Sequence, residues 1–150
     1  MVPKFRAYDT KNKVMVTNLQ KSRMKIETGK VLYQLTTTNE NEIKAIASYN
    51  TFDDYIYRYS HDLELMQSTG LKDKNGVEVF QGDVVVHEEG EYSYKGIVLK
   101  GKYYFYIEGV NINDSFSFDD ISNTLIGEAD FEVIGNIYEN PELLEPANEN

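Results

Sequence analysis

The residues best suited to chemistry stand together at positions 60–62, where a serine, a histidine and an aspartate follow one another. These are the residue types of a hydrolase triad, in which the carboxylate orients the histidine and the histidine accepts a proton from the hydroxyl. Neighbouring residues of a strand point to opposite faces, so three consecutive residues do not line up in that relay. We therefore interpret Ser60, His61 and Asp62 as a polar turn or strand end.

The two histidines could also serve as metal ligands. The other histidine, His87, precedes Glu88 and Glu89, and the chain has no cysteine. No ligand spacing joins His61 and His87 to a set of carboxylates. The Asp- and Asn-containing runs at 73–76 and 111–115 lack the glycine position of a calcium loop. We expect no catalytic residue, no metal and no cofactor, and hence no enzymatic activity.

Tyrosines recur at alternate positions in two strand-like runs. Strand alternation places them on shared faces, and they form our predicted interaction surface: Tyr55, Tyr57, Tyr59, Tyr104 and Tyr106. Exposed tyrosine rows pack within a sheet, form protein interfaces or stack on bases. Single-strand binding also needs a positive groove, which the surroundings of Tyr104 lack. Sheet packing and a protein interface are therefore favoured over direct nucleic-acid binding.

Charge is distributed unevenly along the chain, whose formal net charge is −10. Residues up to Gly70 include 10 basic and 8 acidic side chains, and the rest include 5 basic and 17 acidic ones. The second part has a net charge of −12 and repels phosphate at long range. A possible acidic surface comprises Asp114, Asp119, Asp120, Glu128, Asp130 and Glu132. It serves solubility, or it meets a basic protein surface, including one that normally holds DNA.

One basic cluster interrupts this acidic composition near the amino terminus. It consists of Lys21, Arg23, Lys25 and Lys30, and alternation places the first three on one strand face. Such a face is either solvated or docks against the acidic part of another subunit. The second alternative predicts a homo-oligomer, in addition to an unknown protein partner.

The elements that must position these residues are mostly strands. Tyr, Phe, Val and Ile alternate with Gly, Asn and Asp punctuation, which favours β structure. The segment 39–50 could be a helix or a strand, because periodicity does not decide between them. Structural turns are predicted at Asn75, Gly76, Gly82 and Asp83, since Asn-Gly tolerates positive φ and Asp caps turn N–H groups. The close spacing of strands after Gly70 suggests a small barrel.

Neither a signal peptide nor a membrane helix is expected. The first ten residues carry charges and no apolar core, and the longest apolar runs fall far short of the roughly 20 residues that a membrane helix needs. We therefore expect a cytoplasmic protein.

Three blocks of the sequence resemble the YopX family. The first covers residues 4–9 and 13–16, the second 65–85 and the third 132–144. The resemblance implies a protein encoded by phages or prophages of Gram-positive bacteria, acting in the host cell, with a carboxy-terminal SH3-type barrel. It implies no particular activity, cofactor or catalytic residue.

The combined expectation is an α+β, mostly β protein in two parts. Residues 1–69 form a small sheet with one helix at most, residues 70–144 form the SH3-type β-barrel, and 145–150 form a flexible tail. The favoured function is a non-enzymatic protein-interaction module that self-associates. The alternative is an acidic imitation of DNA that inhibits a nucleic-acid-handling protein, and direct nucleic-acid binding and a hydrolase activity are less favoured.

Overall fold

The architecture is nearly all β. A computed structural model describes residues 4–17, 19, 21–26, 29–50, 59–89, 92–102, 104–110, 115–117, 122–123 and 128–145. Within these ranges there is no α-helix, and the single helical element is a 3₁₀ turn at Pro141–Leu144. The α+β expectation is corrected accordingly. The ambiguous segment 39–50 contains a strand from Ile43, because Ala45 and Ala47 alternate into the core while their neighbours face away from it.

The chain divides into two compact units, residues 1–66 and 67–150. The division lies inside one long strand, Glu64–Lys72. The boundary expected between residues 69 and 70 lies inside the same strand. Each unit has its own cluster of buried apolar side chains.

The described residues of the first unit form six complete strands and the start of a seventh. They are β1 (Phe5–Asp9), β2 (Val14–Val16), β3 (Lys21–Ile26), β4 (Gly29–Thr37), β5 (Ile43–Asn50), β6 (Tyr59–Asp62) and β7 (Glu64–Lys72). β1 and β2 form an antiparallel hairpin. β3, β4, β5 and β6 form an antiparallel sheet in sequence order.

One face of the four-stranded sheet supplies much of the first core. Val31, Tyr33, Ala45 and Ala47 are fully buried there, together with Ala7 of β1. The turn from β4 to β5 is fixed by Thr38, whose hydroxyl accepts hydrogen bonds from two backbone N–H groups of the turn. The buried apolar residues stand at alternate positions of β4 and β5, and this alternation explains both why the segments are strands and how they are paired in register.

The second unit contains the remaining strands. They are β8 (Glu78–Phe80), β9 (Asp83–Glu89), β10 (Tyr92–Lys100), β11 (Phe105–Gly109), β12 (Ser115–Ser117), β13 (Ser122–Asn123), β14 (Glu128–Ala129) and β15 (Glu132–Asn136). An antiparallel five-stranded sheet has the order β12-β11-β10-β9-β15. β7 pairs with β8 and, in parallel, with β14. The core consists of Val79, Val85, Val98, Ile107 and Phe131.

The carboxy-terminal segment ends in the 3₁₀ turn. Asn136 accepts hydrogen bonds from the backbone N–H groups of Tyr138 and Glu139, so its side chain shapes the approach to that turn. Of the tail predicted over 145–150, residues 146–150 lie outside the described part of the chain. No helix within the described ranges is long and apolar enough to cross a bilayer.

Candidate functional site

A buried carboxylate at the end of β1 is the centre of the most elaborate polar cluster among the described residues. Asp9 has no solvent-exposed surface. Its Oδ1 accepts hydrogen bonds from the backbone N–H groups of Lys11 at 3.0 Å and Asn12 at 3.2 Å. This is the local turn that an aspartate makes after a strand. The hairpin between β1 and β2 is therefore built around this carboxylate.

Two side chains donate to the other oxygen of the same carboxylate. The Tyr33 hydroxyl and the Asn12 amide Nδ2 each lie 2.7 Å from Asp9 Oδ2. Tyr33 is fully buried on β4, so its hydroxyl requires a partner within the core.

A histidine completes the set of donors. His61 Nε2 lies 2.9 Å from Asp9 Oδ1, and the His61 side chain is 11% exposed. In the sheet register, Tyr33 of β4 and His61 of β6 both pair with Ala47 of β5. Because only a methyl group stands between them, both long side chains can reach the same carboxylate.

Tyr49 closes the network on the far side of the imidazole. Its hydroxyl lies 2.8 Å from His61 Nδ1 and 3.0 Å from Asn12 Nδ2, and the two rings stack with centroids 5.1 Å apart. A carboxylate only accepts, so His61 Nε2 carries a proton. The Tyr49 hydroxyl shares a hydrogen bond with His61 Nδ1 and accepts one from Asn12 Nδ2. We call Asp9, Asn12, Tyr33, Tyr49 and His61 the Asp9 network.

The electrostatics of the network favour an ionised carboxylate and protonated phenols. Burial alone raises the pKa of Asp9, but hydrogen bonds from Tyr33, Asn12 and His61 outweigh it and lower that pKa to about 2. Burial, followed by the hydrogen bond to Asp9 and its charge, raises the pKa of Tyr33. Burial and the charge of Asp9 also raise the pKa of Tyr49. At neutral pH the carboxylate is ionised and both phenols keep their protons.

The order carboxylate, imidazole, hydroxyl has the form of a hydrolase triad, but its chemistry differs. A nucleophilic hydroxyl needs a pKa that its surroundings lower, or a base that faces it in an accessible cleft. Tyr49 instead has a raised pKa, and its hydroxyl also accepts a hydrogen bond from Asn12 Nδ2. The arrangement satisfies every polar group of a buried cluster, which is what ties β1, β4, β5 and β6 together.

The structure separates the three residues of the sequence run at 60–62. His61 shares the core face with Tyr33, whereas Ser60 and Asp62 are exposed on the other face. Asp62 pairs with Lys44 there, at 3.2 Å. The carboxylate that reaches the histidine is thus Asp9, 52 positions away.

The second histidine also lies apart from any cluster of ligands. His87 is buried in β9, and its Nδ1 hydrogen-bonds the backbone carbonyl of Asp130. No group of three or more His, Asp or Glu side chains that could hold a metal occurs among the described residues.

The predicted tyrosine surface is only partly described. Tyr55 and Tyr57 lie outside the described residues. Tyr59 is 73% exposed and Tyr104 is 62% exposed, whereas Tyr106 is half-buried. The rings of Tyr104 and Tyr106 contact each other with centroids 6.0 Å apart.

The predicted acidic surface is described at three of its six positions. Asp114, Asp119 and Asp120 lie outside the described residues. Glu128 lies in β14, Asp130 is exposed, and Glu132 accepts a hydrogen bond from Asn75 Nδ2 at 3.3 Å.

The predicted turn residues occupy two tight turns of the second unit. Gly76 and Gly82 have φ of +84° and +88°. Buried Asp73 accepts from the N–H groups of Asn75 and Val77, and from that of Val133 on β15.

Asp83 has a similar role at the second turn. It is buried, and its Oδ2 accepts from the Phe80 N–H at 2.8 Å. Asp73 and Asp83 therefore hold turns of the second unit as Asp9 holds the hairpin of the first.

Sequence reasoning missed four members of the Asp9 network. The signal for Asp9 was available, because an aspartate directly after a strand and before Lys11 and Asn12 is typical of a side-chain-capped turn. Tyr33 and Tyr49 gave no such signal, since only the register of β4, β5 and β6 brings them to Asp9.

Comparison with known proteins agrees with the resemblance seen in the sequence. Over residues 4–145 the chain matches the family described as YopX protein, so the resemblance is confirmed. Among curated proteins none matches it. The crystal structure of protein EF1440 from Enterococcus faecalis is similar, with 31% sequence identity and a TM-score of 0.54. That likeness covers 97% of this chain and 99% of the other.

Proposed function

The chain belongs to the YopX family, and we propose that it is a phage- or prophage-encoded accessory protein of the host cytoplasm. In this proposal it acts through protein contacts, associates with itself and catalyses no reaction. The observation that carries the proposal is the segregation of charge between the two units.

Opposite charge resides in different units of the same chain. Residues 1–66 contain 10 basic and 8 acidic side chains, whereas residues 67–150 contain 5 and 17. The net charges are +2 and −12. Copies of such a chain attract each other when unlike units meet, at ranges up to a Debye length of about 10 Å at 0.1 M salt.

The candidate site supports a role without catalysis. The network around Asp9 binds its imidazole between a sealed carboxylate and a phenol with a raised pKa. Its polar atoms are directed at each other. Exposed Tyr59 and Tyr104 provide contact surface of the kind that protein interfaces favour.

The second unit is proposed to be an SH3-type barrel. Its five-stranded antiparallel sheet and its separate apolar core support this. Since barrels of this type host many unrelated roles, the fold adds no argument for one partner over another.

Sedimentation velocity tests self-association directly. At low ionic strength we expect species heavier than the 17.3 kDa chain, and at about 0.5 M salt a shift towards the monomer, because salt screens exposed charges. A monomer at every ionic strength and at the highest soluble concentration would refute self-association.

The alternative function is imitation of DNA by the second unit, whose net charge of −12 supports it. An affinity pull-down from nuclease-treated host lysate tests it. Recovery of one nucleic-acid-handling protein that dissociates at high salt, and that duplex DNA displaces, would favour this alternative.

A further inference from the structure

The five-stranded sheet of the second unit ends at β15, which has no strand on its outer side within the described residues. The outer edge of a terminal strand presents backbone N–H and C=O groups that can pair with another chain. Here a turn of the same chain occupies part of that edge. Lys74 N donates to the carbonyl of Phe131, just before β15, and Val133 N donates to Asp73 Oδ2.

The residues that follow β15 occupy the rest of the edge. The Asn136 N–H donates to Asn140 Oδ1 at 3.2 Å, and the Asn136 carbonyl accepts from the Asn140 N–H at 3.0 Å. Asn140 therefore stands where a neighbouring strand would otherwise pair. The Leu143 N–H donates to the Asn140 carbonyl and continues the chain into the 3₁₀ turn. We call residues 137–144 the strap.

A glycine of β15 gives the strap its place. A Cβ at Gly135 would lie 2.5 Å from Asn140 Oδ1 and 2.8 Å from Leu143 Cδ1. Cβ atoms do not approach other atoms so closely, so a larger residue at this position must displace the two side chains. The register of β15 against β9 also shifts between Val133 and Gly135. Such a bulge, with a glycine beside it, lets another segment approach the backbone closely.

The two segments that occupy the edge differ in how firmly they are anchored. Asp73 is 1% exposed, and its turn is part of the buried structure of the second unit. None of the residues of the 3₁₀ turn is buried. Segments with few buried contacts open at a lower free energy than the core around them. The strap can therefore open while the sheet stays folded.

We propose that the strap is a movable cover of β15. In the closed state it keeps this edge from pairing with another strand, and in the open state it lets β15 of two copies pair edge to edge. The inference goes beyond the proposed function and does not rest on it, because backbone pairing does not need attraction between unlike units.

The sequence of the opened segment suits pairing with a second copy. Ile137 and Tyr138 are residues that strands favour, so they can continue β15 once the strap is released. Two-fold antiparallel pairing about Ile137 places Asn136 opposite Tyr138 of the second copy. It also places Gly135 opposite Glu139, so no like charges face each other across the pair.

The net charge of −10 on each copy opposes the approach of two copies. Salt at about 0.5 M reduces the range of this repulsion to about 4 Å and leaves backbone hydrogen bonds in place. The inference is therefore tested at high salt. The association expected from charge segregation weakens under the same conditions, so the two effects are separated.

Two variants of the full chain open the strap by different routes. Gly135→Ala adds a methyl group that displaces the side chains of Asn140 and Leu143. Asn140→Ala removes the side-chain acceptor of the Asn136 N–H, and the loss of one surface hydrogen bond leaves the fold intact. The control Gly101→Ala adds the same methyl group at the β10–β11 turn, where its nearest neighbour is the Tyr104 carbonyl at 3.1 Å.

Amide hydrogen exchange, followed by NMR, reports whether the strap is open. In both variants we expect the Leu143 N–H to exchange at least about tenfold faster than in the wild type, and in the control to be unchanged. The acceptor of this N–H is a backbone carbonyl that both variants keep. Faster exchange there therefore reports opening of the strap and not the loss of one side-chain bond. Unchanged exchange in both variants would overturn the inference.

Sedimentation velocity at about 0.5 M salt reports whether the opened edge pairs. We expect both variants to form a dimer of the 17.3 kDa chain as the concentration rises, and the control and the wild type to remain monomeric. Adding Tyr138→Pro to Asn140→Ala should restore the monomer, because proline has no N–H to donate to a paired strand.

Each remaining outcome decides against the inference or against the proposed function. Opened variants that stay monomeric at every concentration would show that β15 is not a pairing edge. A dimer that survives Tyr138→Pro would place the contact elsewhere and overturn the assignment. A wild type that stays monomeric at low salt refutes the proposed self-association, but it leaves the high-salt behaviour of the opened variants as the test of the strap.

Discussion

Replacement of Asp9 by asparagine tests the buried network with almost no change of shape. The wild-type carboxylate accepts five hydrogen bonds, two from backbone N–H groups and three from side chains. An asparagine offers one oxygen and one NH₂ group. At one of the two oxygen positions of the carboxylate, the NH₂ group therefore faces hydrogen-bond donors. Hydrogen bonds to a charged acceptor are worth about 1.5–3 kcal/mol each, and the Asp9→Asn variant should lose about 2–4 kcal/mol of unfolding free energy.

The pH dependence of the unfolding free energy tests a second quantity, which is the stabilisation that comes from the lowered pKa of Asp9. The pKa of Asp9 falls from its ordinary 3.8 to about 2 in the folded protein. At about 1.4 kcal/mol per pH unit this is worth about 2 kcal/mol, and solvent near the partly exposed His61 ring reduces it to about 1–2 kcal/mol. The stabilisation is fully present above the unfolded pKa and is lost as the pH falls towards the folded one.

Urea unfolding between pH 7 and pH 2 measures both effects. We expect the wild type to lose stability more steeply than Asp9→Asn below about pH 5, so the two curves converge as acid is added. The control is Asp62→Asn, which removes an exposed carboxylate that also neighbours His61 in sequence. Parallel curves for the wild type and Asp9→Asn at all pH values would refute the assignment of a depressed pKa to Asp9.

Three further variants test individual contacts by chemical unfolding. Tyr33→Phe removes a buried donor to the carboxylate and should cost about 1–3 kcal/mol; a cost below about 0.5 kcal/mol would contradict the network. Gly96→Ala should cost more than Gly76→Ala, because a Cβ at Gly96 collides with Ile107 and the Glu108 backbone, whereas Gly76 has open space and only a φ of +84°; the reverse order would contradict the packing. Asp73→Ala leaves three backbone N–H groups without their acceptor and should cost about 2–4 kcal/mol; an unchanged urea midpoint would contradict that role.

The sequence predicted what depends on neighbours along the chain. Alternation of residue types identified most strands, and it separated His61 from Ser60 and Asp62, because adjacent strand residues face opposite sides. It did not identify the partner of His61, since Asp9 is 52 positions away and is brought there by strand pairing. The choice between helix and strand for 39–50 stayed open for a related reason, because packing in a sheet and not the weak local preference decides it.

The blocks that carry the family likeness contain the residues that hold the turns. Asp9 lies in the first block, Asp73 and Asp83 lie in the second, and Asn136 lies in the third; each is buried and accepts hydrogen bonds from backbone N–H groups. Such residues specify where strands reverse, which is a requirement of the fold and not of a reaction. Family membership therefore transfers the architecture to this chain. The likeness in these blocks therefore carries no assignment of activity, because one architecture hosts many unrelated roles.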